Sequence, residues 1–123
     1  MTLHCENISF TDLAGQFGTP LYVYSQSALT EAFCAYTSAF SALSPLVCYA
    51  VKANGNLSLL KHFASLASGF DIVSGGELAR VLAAGGDAGK TIFSGVGKSE
   101  AEIEFALNAG VLCFNVESLP ELD

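Results

Sequence analysis

Two charged side chains stand where an apolar sequence has no structural need of them. Lys52 follows the run Leu46-Val47-Cys48-Tyr49-Ala50-Val51, and Asp71 interrupts Gly69-Phe70-Asp71-Ile72-Val73. An amine at the end of a buried strand, partly desolvated, has its charged form disfavoured, so more of it is free to attack a carbonyl. Lys52 is therefore a candidate to carry an aldehyde cofactor as a Schiff base. The bland reading is a strand-end lysine that snorkels to water, and position alone leaves both open. Strand parity places Lys52 with Ala50, Cys48 and Leu46, opposite Val51, Tyr49 and Val47. A carboxylate inside a buried strand usually has a partner. For Asp71 that partner is Lys52 or its cofactor adduct on the neighbouring strand, or else a local backbone amide. Its early place in the strand counts against its reaching the upper end, although barrel strands are tilted.

Other groupings carry less. Gly95-Val96-Gly97-Lys98-Ser99 resembles the end of a phosphate-binding loop, but the glycine required five residues before the Gly-Lys pair is Ile92. The segment reads instead as a glycine-rich turn into a helix capped by Ser99. Gly75-Gly76 can serve a backbone approach to a ligand or simply a helix entry. Cys5, Cys34, Cys48 and Cys113 form no C-x-x-C pair. Three of them sit among apolar residues, where free cysteine behaves as a small hydrophobe. With His4 and His62 remote in sequence, no zinc-ligand spacing is present.

The elements that position these residues repeat. Apolar strands are expected at 46–51, 70–73, 91–93 and 111–114, with starts roughly 20 to 24 residues apart. Helices are expected between them at 57–67, 77–84 and 100–108. Such alternation is the βα unit of a parallel sheet. Ser74-Gly75-Gly76-Glu77, Ser99-Glu100-Ala101-Glu102 and Ser118-Leu119-Pro120-Glu121 each spell a capping box, Ser accepting the N3 amide while Glu reaches back. The lead-in predicts a strand over 3–8, a helix from about Thr11 that stops near Gly18, a strand over 21–24, and a helix capped by Ser25 or Ser27 that runs to Leu43. In a parallel βα architecture the functional end is the carboxyl end of the strands. Three complete units and the opening of a fourth fall short of the ~250 residues of a closed (β/α)8 barrel, so the chain reads as truncated.

Composition narrows the class. Of 123 residues, 51% are hydrophobic and 14% charged, below the roughly 25% charged of an ordinary soluble domain. That suits a sheet covered on both faces or a piece of something larger. Five basic against twelve acidic residues argue against nucleic acid or an anionic membrane as partner. No apolar run approaches the ~20 residues of a bilayer crossing. Met1-Thr2-Leu3-His4-Cys5-Glu6 has neither a basic n-region nor an apolar h-region, and a reducing cytoplasm is the expected compartment.

Phe17-Gly18-Thr19-Pro20-Leu21-Tyr22-Val23-Tyr24, Tyr49-Ala50-Val51-Lys52-Ala53-Asn54, Gly69 to Leu78, Phe93 to Ser99 and Phe114 to Ser118 together resemble the N-terminal part of the diaminopimelate decarboxylases. These are fold-type III pyridoxal-phosphate enzymes, related to ornithine and arginine decarboxylases. The Tyr-Ala-Val-Lys string is shared across the wider superfamily, and the Ser-Gly-Gly-Glu-Leu and Phe-Ser-Gly-Val-Gly-Lys strings favour the diaminopimelate branch. The resemblance implies an α/β fold, the N-terminal part of a (β/α)8 TIM barrel that binds pyridoxal 5'-phosphate, over 25–123. Residues 1–24 would be a lead-in to a β-domain. Lys52 would hold the cofactor as a Schiff base, with Asp71 beside it. The implied reaction is decarboxylation of meso-2,6-diaminopimelate to L-lysine, in a homodimer whose active sites cross the interface. The family's cofactor-stacking histidine and glycine-rich phosphate loop would lie beyond Asp123, since His4 and His62 match neither. The chain would then be a truncated part, inactive alone. Alternatives are a relative acting on D-ornithine or D-lysine, and a non-catalytic product.

Overall fold

Four short apolar strands pair in parallel in the order in which the chain makes them. They are β3 (Cys48–Ala50), β4 (Gly69–Ile72), β5 (Thr91–Phe93) and β6 (Cys113–Phe114), in sheet order β3-β4-β5-β6. The preceding strands β1 (His4–Cys5) and β2 (Ile8–Ser9) form a separate antiparallel pair. The computed structural model describes residues 3–122, and the chain divides after Ala39 into two compact units.

In the second unit the register aligns Ala50, Asp71, Ile92 and Cys113 across the sheet, and likewise Tyr49, Phe70 and Thr91. Because side chains alternate, the second row and its neighbours Ile72 and Phe93 share one face. Phe70, Ile72, Thr91 and Phe93 are each fully buried there. Helices α3 (Leu57–Ser65), α4 (Gly75–Ala83) and α5 (Glu100–Ala109) supply the rest of the core through Leu59, Leu60, Phe63, Leu78, Val81 and Ala106.

Serine and asparagine caps start these helices. Asn56 Oδ1 accepts the Ser58 amide at 2.9 Å, and Ser74 Oγ accepts that of Glu77 at 3.2 Å. Ser99 and Glu102 complete a reciprocal capping box. At the other two S-x-x-E sites the glutamate reaches one residue further back than expected. Glu77 Oε2 accepts the Val73 amide at 2.8 Å and Glu121 Oε2 that of Glu117 at 2.7 Å, the latter at the short α6 (Leu119–Leu122).

The first unit departs from expectation more. The predicted strand over 3–8 is broken by Glu6, at φ 53°, into the β1–β2 hairpin. Helix α1 (Phe10–Phe17) stops at Gly18, whose φ of 79° suits glycine. Residues 21–24 are not a strand. Their β-rich composition has no neighbour to pair with among the described residues, and Tyr22 and Tyr24 are exposed. Helix α2 (Gln26–Ala39) ends before Leu43, and a 3₁₀ turn (Ser41–Leu43) takes up the remainder. Ser25 Oγ accepts the Ala28 amide at 3.1 Å, while the Glu6 carboxylate accepts the Ser27 amide and both serine hydroxyls. Those bonds hold the Glu6 carboxyl below the usual glutamate range, the Ser27 amide contributing most. The cysteines are less sheltered than their neighbours in sequence suggest: Cys34 and Cys113 are exposed, Cys5 and Cys48 half-buried.

Candidate functional site

The carboxyl ends of β3 to β6 gather the candidate residues, and Lys52 is the first of them. β3 ends at Ala50, one residue short of the expected strand, and Val51–Ala53 forms a 3₁₀ turn. Strand parity therefore does not govern Lys52. The turn is anchored from below by Val51, which is 1% exposed, and is closed by Tyr49, whose hydroxyl donates to Asn54 O at 3.2 Å. The Tyr49 ring stacks on Phe63 of α3, with centroids 4.2 Å apart. Lys52 itself is exposed rather than desolvated. Among the described residues its amine makes no ion pair or hydrogen bond. A fixed backbone thus presents an unengaged primary amine at the mouth of the sheet.

Asp71 lies level with Ala50, the last residue of β3. Its place is near the carboxyl end, not early as its position in the expected strand indicated. It belongs to the uncovered face, with Cys48, Ala50 and Ile92, all half-buried. Its partner is neither Lys52 nor a local amide. Ser94 Oγ donates to Asp71 Oδ1 at 2.5 Å, and Asn115 Nδ2 donates to the same serine oxygen at 3.0 Å. The ladder extends past β5 and β6 to carry these two residues, through Ser94 N to Ile72 O at 2.7 Å and Asn115 N to Phe93 O at 2.9 Å. Three adjacent strand ends therefore share one polar row. On the same face burial pushes the Cys48 thiol up, with the Asp71 carboxylate and Cys113 adding to it.

Sequence reasoning set Ser94 and Asn115 at the functional ends of their strands without giving either a role, and read Lys98 as part of a glycine-rich turn. Lys98 Nζ donates to Gly95 O at 2.5 Å, Asn115 O at 2.7 Å and Glu121 Oε1 at 2.6 Å. Its side chain is 4% exposed. The Lys98 bond, followed by the Glu117 amide, holds the Glu121 carboxyl below its usual range. Glu102 in turn accepts the Gly75 amide at 2.8 Å, joining the starts of α4 and α5. The only sequence signal for these ties was a glutamate three residues after each serine, which reports on a cap and not on a neighbouring loop.

An exposed amine, unengaged among the described residues, and an anchored carboxylate at the carboxyl end of a parallel sheet suit an aldehyde-bearing cofactor with a cationic ring. The family model described as pyridoxal-dependent decarboxylase, pyridoxal binding domain, matches residues 26–123. The chain belongs to this family. Among its relatives is the diaminopimelate decarboxylase of Neisseria meningitidis serogroup B, 81% identical over 123 residues, all of this chain and 30% of the relative. The crystal structure of diaminopimelate decarboxylase from M. jannaschii in co-complex with L-lysine superposes with a TM-score of 0.94 at 35% identity, over 98% of this chain and 29% of that one. The lysine/ornithine decarboxylase of Vibrio vulnificus complexed with cadaverine gives 0.81 at 28% identity, over 91% and 30%. The chain spans about 30% of the length of the curated relatives it matches. Its parallel strands and intervening helices are the N-terminal portion of the barrel that the sequence led us to expect. No helix among the described residues is long and apolar enough to cross a membrane.

Proposed function

We propose that Lys52 holds pyridoxal 5'-phosphate through its aldehyde carbon, in a protein that decarboxylates meso-2,6-diaminopimelate to L-lysine and carbon dioxide. The observation that carries this is the exposed Lys52 amine, without hydrogen bond or ion pair among the described residues, on its turn at the carboxyl end of β3 in a chain of this family. Bound pyridoxal phosphate supplies a conjugated electron sink for the pair released as carbon dioxide leaves. The protein's part is to place groups around that chemistry. Lys52 Nζ would hold the cofactor's aldehyde and, when not bound to it, would be placed to hold or move a proton at the mouth of the sheet. Asp71, held by Ser94, fixes a negative charge on the uncovered face, where it favours a cationic ring or ammonium. Residues 25–123 would contribute to the barrel and 1–24 to a β-domain, a division supported by a family match that begins at residue 26. A cytoplasmic homodimer is the assembly this reading entails.

Trapping the cofactor tests the assignment. The protein is incubated with pyridoxal phosphate and reduced with borohydride, which converts the imine to a stable secondary amine, and the modified lysines are mapped by mass spectrometry. We expect labelling of Lys52 over Lys61, Lys90 and Lys98; equal labelling of all four would sink the assignment. Carbon dioxide release from meso-diaminopimelate, measured against D-ornithine and D-lysine, tests the substrate.

A further inference from the structure

Lys98 is an enclosed charge, its side chain 4% exposed, and its surroundings are specific. A buried ammonium is costly unless its donors are satisfied, and a lysine has three. All three are used, on two carbonyls and one carboxylate. Those carbonyls are telling. Gly95 directly follows Ser94, and Asn115 is the residue whose side chain donates to Ser94. The ammonium therefore draws together the exits of β5 and β6 at the level where Ser94 and Asn115 meet Asp71. Below it lies the Phe93 ring, 6.0 Å from Nζ to centroid, so the amine has a floor as well as a fixed rim. Glu121 completes the tie, its second oxygen accepting the Glu117 amide at 2.7 Å and so fixing the loop that leaves β6.

The geometry points to Lys98 and Glu121 as positioning residues: a latch between two loops that holds Asn115 and Ser94 in the row that fixes the Asp71 carboxylate. This rests on the preceding assignment of Lys52 and Asp71 to the cofactor. The latch is assigned no contact with cofactor or substrate. It acts through two backbone carbonyls and two side chains, so its loss loosens the Asp71 carboxylate without removing any group from the site. Methionine at position 98 keeps the length and apolar stem and deletes the three donors.

The test has two arms on the purified protein, one of them free of cofactor. In the first, hydrogen exchange of the Asn115 side-chain amide is followed by NMR in wild type, Lys98→Met, Glu121→Gln and Ser94→Ala. Losing one hydrogen bond of ordinary strength is expected to speed exchange about tenfold in Lys98→Met, with a smaller change in Glu121→Gln, which retains an oxygen acceptor. In the second, pyridoxal phosphate is added, and the pH midpoint of cofactor absorbance and the rate of Lys52 trapping by borohydride are measured. Lys98→Met and Ser94→Ala are expected to move that midpoint in the same direction, the double variant moving it no further than the larger single change. Unchanged Asn115 exchange in Lys98→Met overturns the latch whatever the cofactor does. Faster exchange with an unmoved midpoint overturns its link to Lys52 and leaves a tie that only braces loops. Failure of wild type to be trapped at Lys52, with the exchange effects intact, overturns the cofactor assignment and the inference with it. Should Lys98→Met not fold, Glu121→Gln decides by the same readings.

Discussion

The two faces of the four-stranded sheet are made from alternate residues of the same short strands, and they have opposite characters. On one, Phe70, Ile72, Thr91 and Phe93 are fully buried beneath α3, α4 and α5. On the other, Cys48, Ala50, Asp71 and Ile92 are half-buried and Cys113 is exposed. The covered face carries no carboxylate, amine or thiol among these strand residues, and the Tyr49 phenol on it stacks against Phe63. The open face holds the carboxylate, its serine and asparagine, and two thiols. A period of two in the sequence thus separates the residues that hold the unit together from the polar row proposed as its site.

This contrast can be broken by paired substitutions. Phe93→Ala on the covered face is expected to cost about 3–5 kcal/mol, the range for truncating a buried aromatic. Ile92→Ala, one residue away on the open face, is expected to cost about 1 kcal/mol or less because less apolar area is lost. Equal shifts in urea midpoint for the two would show that the faces do not differ. Gly69 sharpens the point from the open side. A Cβ there would stand 2.5 Å from Lys90 O and 2.6 Å from Cys48 Sγ, so Gly69→Ala must move backbone and is expected to cost about 1–3 kcal/mol. Ser99→Ala removes the reciprocal cap of α5, and a loss of about 1 kcal/mol in the same measurement is expected.

The smallest effect is one of pH. The Gly75 amide first, then the amide and hydroxyl of Ser99, hold the Glu102 carboxyl below its usual value of 4.5. A carboxyl depressed in the folded state contributes stability that is fully present above the unfolded value and is lost as pH falls through the folded one. Urea midpoints taken from about pH 6 to about pH 3 should therefore fall less steeply in Glu102→Gln than in wild type. Parallel curves would remove Glu102 from the account.

Much of this was legible in the residues. The capping serines located α4 and α5 within two residues, because a side-chain cap is a local interaction between groups three positions apart. Thr91-Ile92-Phe93 was read as a strand at its observed bounds. What escaped depends on neighbours distant in sequence. Leu21-Tyr22-Val23-Tyr24 has strand composition, but a strand also needs a partner. The direction of Lys52 was assigned by continuing an alternation that a 3₁₀ turn interrupts after Ala50. Asp71 was noticed as a charge in need of a partner, yet Ser94 could be named only once the register between β4 and β5 was known. Lys98 was weighed against a phosphate-loop pattern and set aside, although its three acceptors come from residues 95, 115 and 121.

The strand order has a consequence in time. In β3-β4-β5-β6 each new strand pairs with the one made just before it, across a single helix. Closing a loop of that size costs little more than closing one half as long, since the entropy grows only with the logarithm of length. Parallel pairing is slow by nature, and adjacency in sequence keeps its loops as short as a βα unit allows. During synthesis, when N-terminal regions fold first, every strand emerging from the ribosome finds its partner already delivered. The surface that catches the next strand is always the last one made, and the sheet grows by elongation from one edge.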